Sequence, residues 1–317
     1  MKTSVIITVL NEAQTMEALL MALSKQTKVP DEVVIVDGGS MDKTFDILKA
    51  ASKKRQPFSL KVFQKKGNRS LGRNYAIEQA THEWIAITDA GCIPERQWLE
   101  ELGAKAEGAK KEVKSDQVVI AGYYQAEPKS SFEAAVVPYF LVMPERVNPD
   151  DFLPATRSMM LHRSVWQAVG KFNTSLSDNE DYAFANKIRD LETKRHQKII
   201  FFTDKAKVTW LPPTTLHQFA KTIFRFARGD AQSGNWRPKV GLIFGRYLVL
   251  LIATGWLVAN ELNGVAIVMW LFFLSVYAAW SIAKNIRYSD EGWYWLPVLQ
   301  IVSDGAVMSG TLVGICK

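Results

Sequence analysis

Short apolar runs closed by turn residues recur along the first ninety positions of the chain. Ser4-Val5-Ile6-Ile7-Thr8-Val9-Leu10, Val33-Val34-Ile35-Val36 and Trp84-Ile85-Ala86-Ile87-Thr88 are each followed by polar or glycine residues. Runs of this length, rich in β-branched residues, read as buried parallel strands. Between them the pattern predicts helices at about 15–24 and 43–55, a strand at 59–64, a loop at 67–73 and a helix at 74–80. Strands alternating with short helices imply βαβ units. Beyond Pro94 the pattern is mixed. Strands are expected at 117–121, 198–203 and 207–210, and helices at 131–143, 164–169, 180–191 and 216–227, with a proline-bearing loop at 144–156.

After Lys239 the pattern changes to long apolar stretches. Residues of about 241–259, 265–283 and 294–316 approach the ~20 apolar residues a spanning helix needs. The alternative is a buried helical subdomain, for which these stretches are long and uniformly apolar. Gln300 and Asp304 weaken the third. An acid inside a span is costly, so Asp304 is either functional or reaches the interface. Arg237 and Lys239 precede the first stretch, Arg246 lies near its start, and Lys284 and Arg287 follow the second, which places those ends and the N-terminal part in the cytoplasm. The expected organisation is an α/β domain over 1–235 and an all-α membrane region over 236–317. The first residues enter a strand directly, without the pattern of a cleavable signal peptide.

Charge and rare residues narrow the chemistry. The net charge is +7, with a basic stretch from Lys49 to Lys66 that is not interleaved with aromatics as a strand-binding groove would be. No nucleic-acid partner is expected. Cys92 and Cys316 are far apart, and the four histidines have no metal-ligand spacing.

Several polar positions fall where a parallel sheet binds ligands, outside the carboxyl ends of its strands. Asp37-Gly38-Gly39-Ser40 sits at a strand-to-helix turn, where glycine lets a ligand approach the backbone; Asp37 otherwise only caps that turn. It is neither a dinucleotide fingerprint nor a P-loop. Asp89 ends another strand and is either a turn residue or a hard ligand for Mg²⁺ or Mn²⁺ beside substrate phosphates. Glu180 and Asp181 open a helix, where acids are favoured by the dipole, or where one serves as a general base. Arg225 and Arg228, three apart on one helix face, and Arg69 and Arg73 form basic surface or bind a diphosphate.

In this order the motifs resemble the family 2 inverting glycosyltransferases with the GT-A fold. The resemblance rests on Ser4–Glu12, Val34–Thr44, Gly72–Ile77, Ile85–Gly91 and Asn179–Asp181, and covers roughly residues 3 to 230. It implies a Rossmann-like, mostly parallel central sheet, and a nucleotide sugar and a lipid-linked acceptor as partners. It implies that Asp37 contacts the base beside Asn11 and Glu12, with Gly39 and Arg73 lining the nucleotide pocket. Asp89 would hold the metal and diphosphate, with Arg225 and Arg228 on the nucleotide-sugar side. Asp181, supported by Glu180, would deprotonate the acceptor. The protein would be an integral membrane enzyme with a cytoplasmic catalytic domain.

Two departures matter. Gly91 stands where the Asp-x-Asp motif has its second acid. Thr222 and Phe226 replace the Gln and Trp of a Gln-x-x-Arg-Trp motif, of which only Arg225 remains, which argues for transfer of single sugars rather than polymerisation. The Gly91 departure keeps a second reading open, a membrane-anchored nucleotide-sugar-binding subunit without turnover. A nucleotidyltransferase would want a glycine-rich basic loop where Asn11-Glu12-Ala13 stands.

Overall fold

The computed structural model describes residues 1–235 and 237–316. Trp236 and Lys317, the first and last residues of the expected membrane region, lie outside the described residues. The first part of the chain runs β1 (Thr3–Val9), α1 (Met16–Ser24), β2 (Glu32–Asp37), α2 (Thr44–Ser52), β3 (Ser59–Gln64), α3 (Arg69–Gln79) and β4 (Trp84–Ile87). Then come β5 (Cys92–Pro94), α4 (Trp98–Val113), β6 (Val119–Ala126), α5 (Ser131–Phe140), β7 (Met159–His162), α6 (Arg163–Ala168), α7 (Glu180–Arg195) and β8 (Ile200–Trp210). The last elements are α8 (Leu216–Gln232), α9 (Pro238–Ala259), α10 (Asn263–Asn285) and α11 (Leu296–Ile315).

The chain divides into two compact units: Met1–Glu127 with Met143–Leu211, and Pro128–Val142 with Pro212–Lys317. The first holds an eight-stranded sheet in the order β3-β2-β1-β4-β7-β6-β8-β5. β1 pairs in parallel with β2 and β4, and β2 with β3. β7 runs antiparallel between β4 and β6, and β5 antiparallel to β8. The expected mostly parallel α/β sheet is therefore present, with antiparallel insertions in its second half. Val5–Ile7, Val33–Val36 and Ile85–Ile87 are at most 1% exposed, which is why these strands read as unbroken apolar runs. The strand order reverses at β1, and the crevice at that switch point is where open α/β sheets take their ligands.

Local chemistry explains where the expected elements shift. α3 begins at Arg69 instead of 74, because the Asn68 side chain accepts the Leu71 N–H at 3.0 Å and starts the helix early. α4 is not among the expected elements; its buried face combines Trp98, Leu99 and Leu102 with the small residues Gly103, Ala106 and Ala109. The two strands expected at 198–203 and 207–210 are one, β8, paired with β6 across a register shift between Ala121 and Tyr123.

The second unit is all α. Phe132, Ala135 and Val136 of α5, Phe219 and Ile223 of α8, and Leu296, Leu299 and Ala306 of α11 form its core. Pro238–Ala259, Asn263–Tyr288 and Asp290–Ile315 are long and apolar enough to cross a membrane.

Candidate active site

Two loops at the switch point are laced together by the residues the sequence singled out. Asp37, fully buried at the end of β2, accepts the N–H groups of Gly39 at 2.6 Å and Ser40 at 2.7 Å through Oδ1. Gly39 holds φ +101°, a conformation open to glycine. Asn11, after β1, donates its N–H to Ser40 Oγ at 2.8 Å and accepts the Met41 N–H at 2.8 Å. The Glu12 N–H donates to Thr44 Oγ1 at 2.8 Å. Burial raises the Glu12 carboxyl above its usual range, against the opposing pull of Thr15 and Arg69. Asp37 Oδ2 is buried and has no hydrogen-bond partner among the described residues. Such an orphan acceptor costs about 1–3 kcal/mol unless a ligand supplies the donor.

A second cluster lies on α3, the segment after β4 and the start of α7. Arg73, 2% exposed, ion-pairs with Glu180 through Nη1 and with Asp89 Oδ1 through Nη2 at 2.8 Å. Its charge is therefore spent on two carboxylates, and Asp181 adds a third negative neighbour. Glu180 is itself 3% exposed, with Oε2 buried and without a partner among the described residues. Asp181, one residue on, is half-buried and accepts the Tyr182 N–H at 2.9 Å. Asn179 precedes them at φ +55°, turning the chain into α7.

The Asp89 side chain is 32% exposed, far more open than Glu180 at 3%. Burial works against its ionisation, but Arg73, then Arg69 and Arg157, hold the carboxyl below its usual range. Arg157 was not singled out by the sequence. Its guanidinium lies 4.9 Å from the ring centres of both Tyr124 and Trp210, and its carbonyl accepts the Thr88 hydroxyl at 2.9 Å. Trp210 pairs with Cys92 across β5 and β8, so this clamp is tied to both sides of Asp89. Arg157 has no ion-pair partner among the described residues, in contrast to Arg73. Nothing around Arg157 in sequence marks it; only the fold brings it here.

The structure thus brings Arg73, Asp89 and Glu180 into one cluster beside Asp181, and Asn11, Glu12, Asp37 and Gly39 into one loop pair. Arg225 and Arg228 belong to α8 of the second unit. No group of three or more His, Cys, Asp or Glu that suits a metal occurs among the described residues. Asp89 Oδ2 makes no hydrogen bond to a described residue, so the donor set fits a hard cation only through one carboxylate oxygen. A cation held there would take its other ligands from phosphate oxygens and water, a usual arrangement for Mg²⁺.

The sequence profile described as glycosyl transferase family 2 matches residues 4–167, more than half of the chain. The chain belongs to this family. Glycosyltransferase AglE of Haloferax volcanii is 36% identical over 99 residues, covering 31% of this chain and 33% of that protein. A cholesterol galactosyltransferase of Borreliella burgdorferi is 30% identical over 121 residues, covering 38% of this chain and 33% of that protein. The chain thus aligns with about a third of the length of these curated relatives. Among solved structures, the mannosyltransferase PcManGT from Pyrobaculum calidifontis, in complex with GDP-Man and Mn²⁺, superposes with a TM-score of 0.56 at 18% identity. That match covers 97% of this chain and 87% of PcManGT. The fold is GT-A-like, as the motifs implied.

Proposed function

We propose that the protein is an inverting glycosyltransferase that moves a sugar from a nucleoside-diphosphate donor to a hydroxyl or phosphate of a lipid-linked acceptor. The reaction would take place at the cytoplasmic face of a membrane. The observation that carries this reading is the cluster of Arg73, Asp89 and Glu180 beside Asp181, at a switch point whose loops leave Asp37 Oδ2 without a donor. Family membership supports the activity. The basic residues flanking α9 and α10 support the membrane face.

In this reading the base of the nucleotide supplies the hydrogen bond that Asp37 Oδ2 lacks. Asp89 would hold Mg²⁺ or Mn²⁺ through Oδ2, and the ion would supply neutralising charge to the leaving diphosphate. Arg157 and Arg69, neither ion-paired to a described residue, supply more. Asp181 takes the proton of the attacking hydroxyl as the anomeric carbon–oxygen bond to the diphosphate breaks in line, which inverts that centre. Glu180 does not touch the acceptor; locked to Arg73, it fixes the first turn of α7 and so the aim of Asp181.

Asp181→Asn tests the assignment. Transfer by the purified protein should fall about 10²–10⁴-fold, with nucleotide-sugar affinity kept. Wild-type rates in the variant would exclude Asp181 as the base. Product of retained anomeric configuration, read by NMR, would exclude inversion. Nucleotide-sugar binding without any product would favour the second reading, a binding subunit without turnover, which the missing second acid at Gly91 keeps in view.

A further inference from the structure

α8 and α11 lie side by side in the second unit. A Cβ on Gly310 would stand 2.3 Å from the Phe224 carbonyl oxygen, and one on Gly314 would stand 2.6 Å from that of Arg228. Both partners advance by four residues, so the two helices run parallel and in step. The glycines let the backbones approach closely, as small residues do between packed membrane helices. Apolar contact continues toward the N-termini through Phe219, Ile223, Leu299 and Ala306.

Continued at the same offset of 86 positions, this register sets 215–221 level with 301–307, the middle of α11. This part of α8 is polar and open to solvent: Thr215, His217, Gln218 and Lys221 are all exposed. Thr215 caps the helix, accepting the Gln218 N–H at 3.2 Å, and the chain arrives there through the non-helical stretch 212–215. Were α11 to cross the bilayer, its midpoint would carry this irregular backbone and the Lys221 charge into hydrocarbon. Lipid-exposed irregular backbone does not occur there, and charges are costly.

The outer face of α11 is nevertheless apolar. Val298, Ile301, Leu312 and Ile315 are 41%, 45%, 53% and 55% exposed. α9 differs, since protein buries none of its most apolar stretch, against 44% for the segment containing α11. We propose that α8 and α11 lie together in the plane of a lipid surface, the α11 outer face in the acyl boundary and the polar α8 face toward water. The α9–α10 hairpin then makes the crossing, and residue 316 returns to the face from which α9 enters. Amphipathic pairs of this kind bind membranes in the interface rather than spanning them. The proposal rests on the membrane reading of α9 and α10, not on sugar transfer.

The chain carries its own probe. Cys316 is exposed and Cys92 is buried. Membrane-impermeant maleimide is applied to oriented vesicles, from each side in turn. The proteins compared are the wild type, and Asn260→Cys and Glu112→Cys each in a Cys316→Ser background. Cys316 and the thiol at 112 should react from one side and the thiol at 260 from the other. Reaction of Cys316 from the same side as 260 overturns the proposal while leaving the membrane reading intact. Reaction of 260 from the same side as 112 overturns both.

Discussion

Arg73 and Glu180 form an ion pair in which both side chains are all but excluded from solvent, at 2% and 3% exposure. The same guanidinium holds Asp89 at 2.8 Å. A charge this deep is tolerated because its partners are in place, and removing one partner leaves the others uncompensated. Arg73→Met should therefore destabilise the first unit by about 3–5 kcal/mol, measured by denaturant unfolding of the protein in detergent. Arg73→Lys should be intermediate, because an ammonium lacks the planar fork that serves two carboxylates at once. Equal stability of Arg73→Met and wild type would mean that the pair only decorates the site.

Arg157 is predicted to act on ligand and not on fold. Its guanidinium is clamped between Tyr124 and Trp210 but ion-paired to no described residue. Charge-assisted hydrogen bonds contribute about 1.5–3 kcal/mol. Arg157→Gln should thus weaken the nucleoside diphosphate that binds the wild type by roughly 10- to 100-fold, with affinity for the parent nucleoside unchanged. Calorimetric titration of both ligands checks this. Equal losses for nucleoside and diphosphate would point to a distorted pocket instead.

The parts of this molecule that the sequence disclosed are those where one residue carries its own signal. β1, β2 and β4 are buried on both faces, so their apolar runs have no competing explanation. Asp37 and Gly39 share a turn whose residue types are demanded locally, by φ +101° at Gly39 and by two N–H groups needing an acceptor. β7 and Arg157 were invisible for the opposite reason. Met159–His162 is four residues long and becomes a strand only by pairing with β4 and β6. Arg157 acquires meaning from aromatic rings 33 positions before and 53 after it in the chain. Glu180 was legible as an acid at a helix start, but its burial against Arg73 depends on α3 and α7 meeting across 107 positions.

Glu32 makes the first unit sensitive to acid. Although burial favours its neutral form, Lys61, Ser4 and Thr81 together pull the carboxyl down to about 2. Lys61 Nζ lies at 2.5 Å, Ser4 Oγ at 2.6 Å and the Thr81 N–H at 2.8 Å. An unfolded glutamate titrates near ~4.3, so the folded value is depressed. The stabilisation is then complete above about pH 5 and is lost as pH falls through 4 toward 2. Glu32→Gln should cost about 2 kcal/mol at pH 7, allowing for the partly exposed Lys61, and less than half of that at pH 3. Unfolding curves of both proteins at the two pH values measure the difference. A cost that does not change with pH would remove Glu32 from the account of acid sensitivity.

Asp304 ties the three apolar helices together. It is 1% exposed on α11 and accepts hydrogen bonds from Tyr247 of α9 at 3.0 Å, from Tyr277 of α10 and from Gln300 at 3.0 Å. Arg246 completes the cluster with an ion pair at 3.2 Å and lies 4.8 Å from the Tyr277 ring centre. Breaking one side of such a pair costs more than removing both, because the remaining charge keeps its desolvation penalty. Asp304→Leu should lower stability by about 3–5 kcal/mol, and adding Arg246→Met should recover a substantial part of that loss. Asp304→Asn, which keeps an acceptor for the tyrosines but not the charge, should fall between wild type and Asp304→Leu. Unfolding in detergent orders the three variants. If the double variant is no more stable than Asp304→Leu alone, the stranded guanidinium is not the source of the loss, and the tyrosine hydrogen bonds carry it.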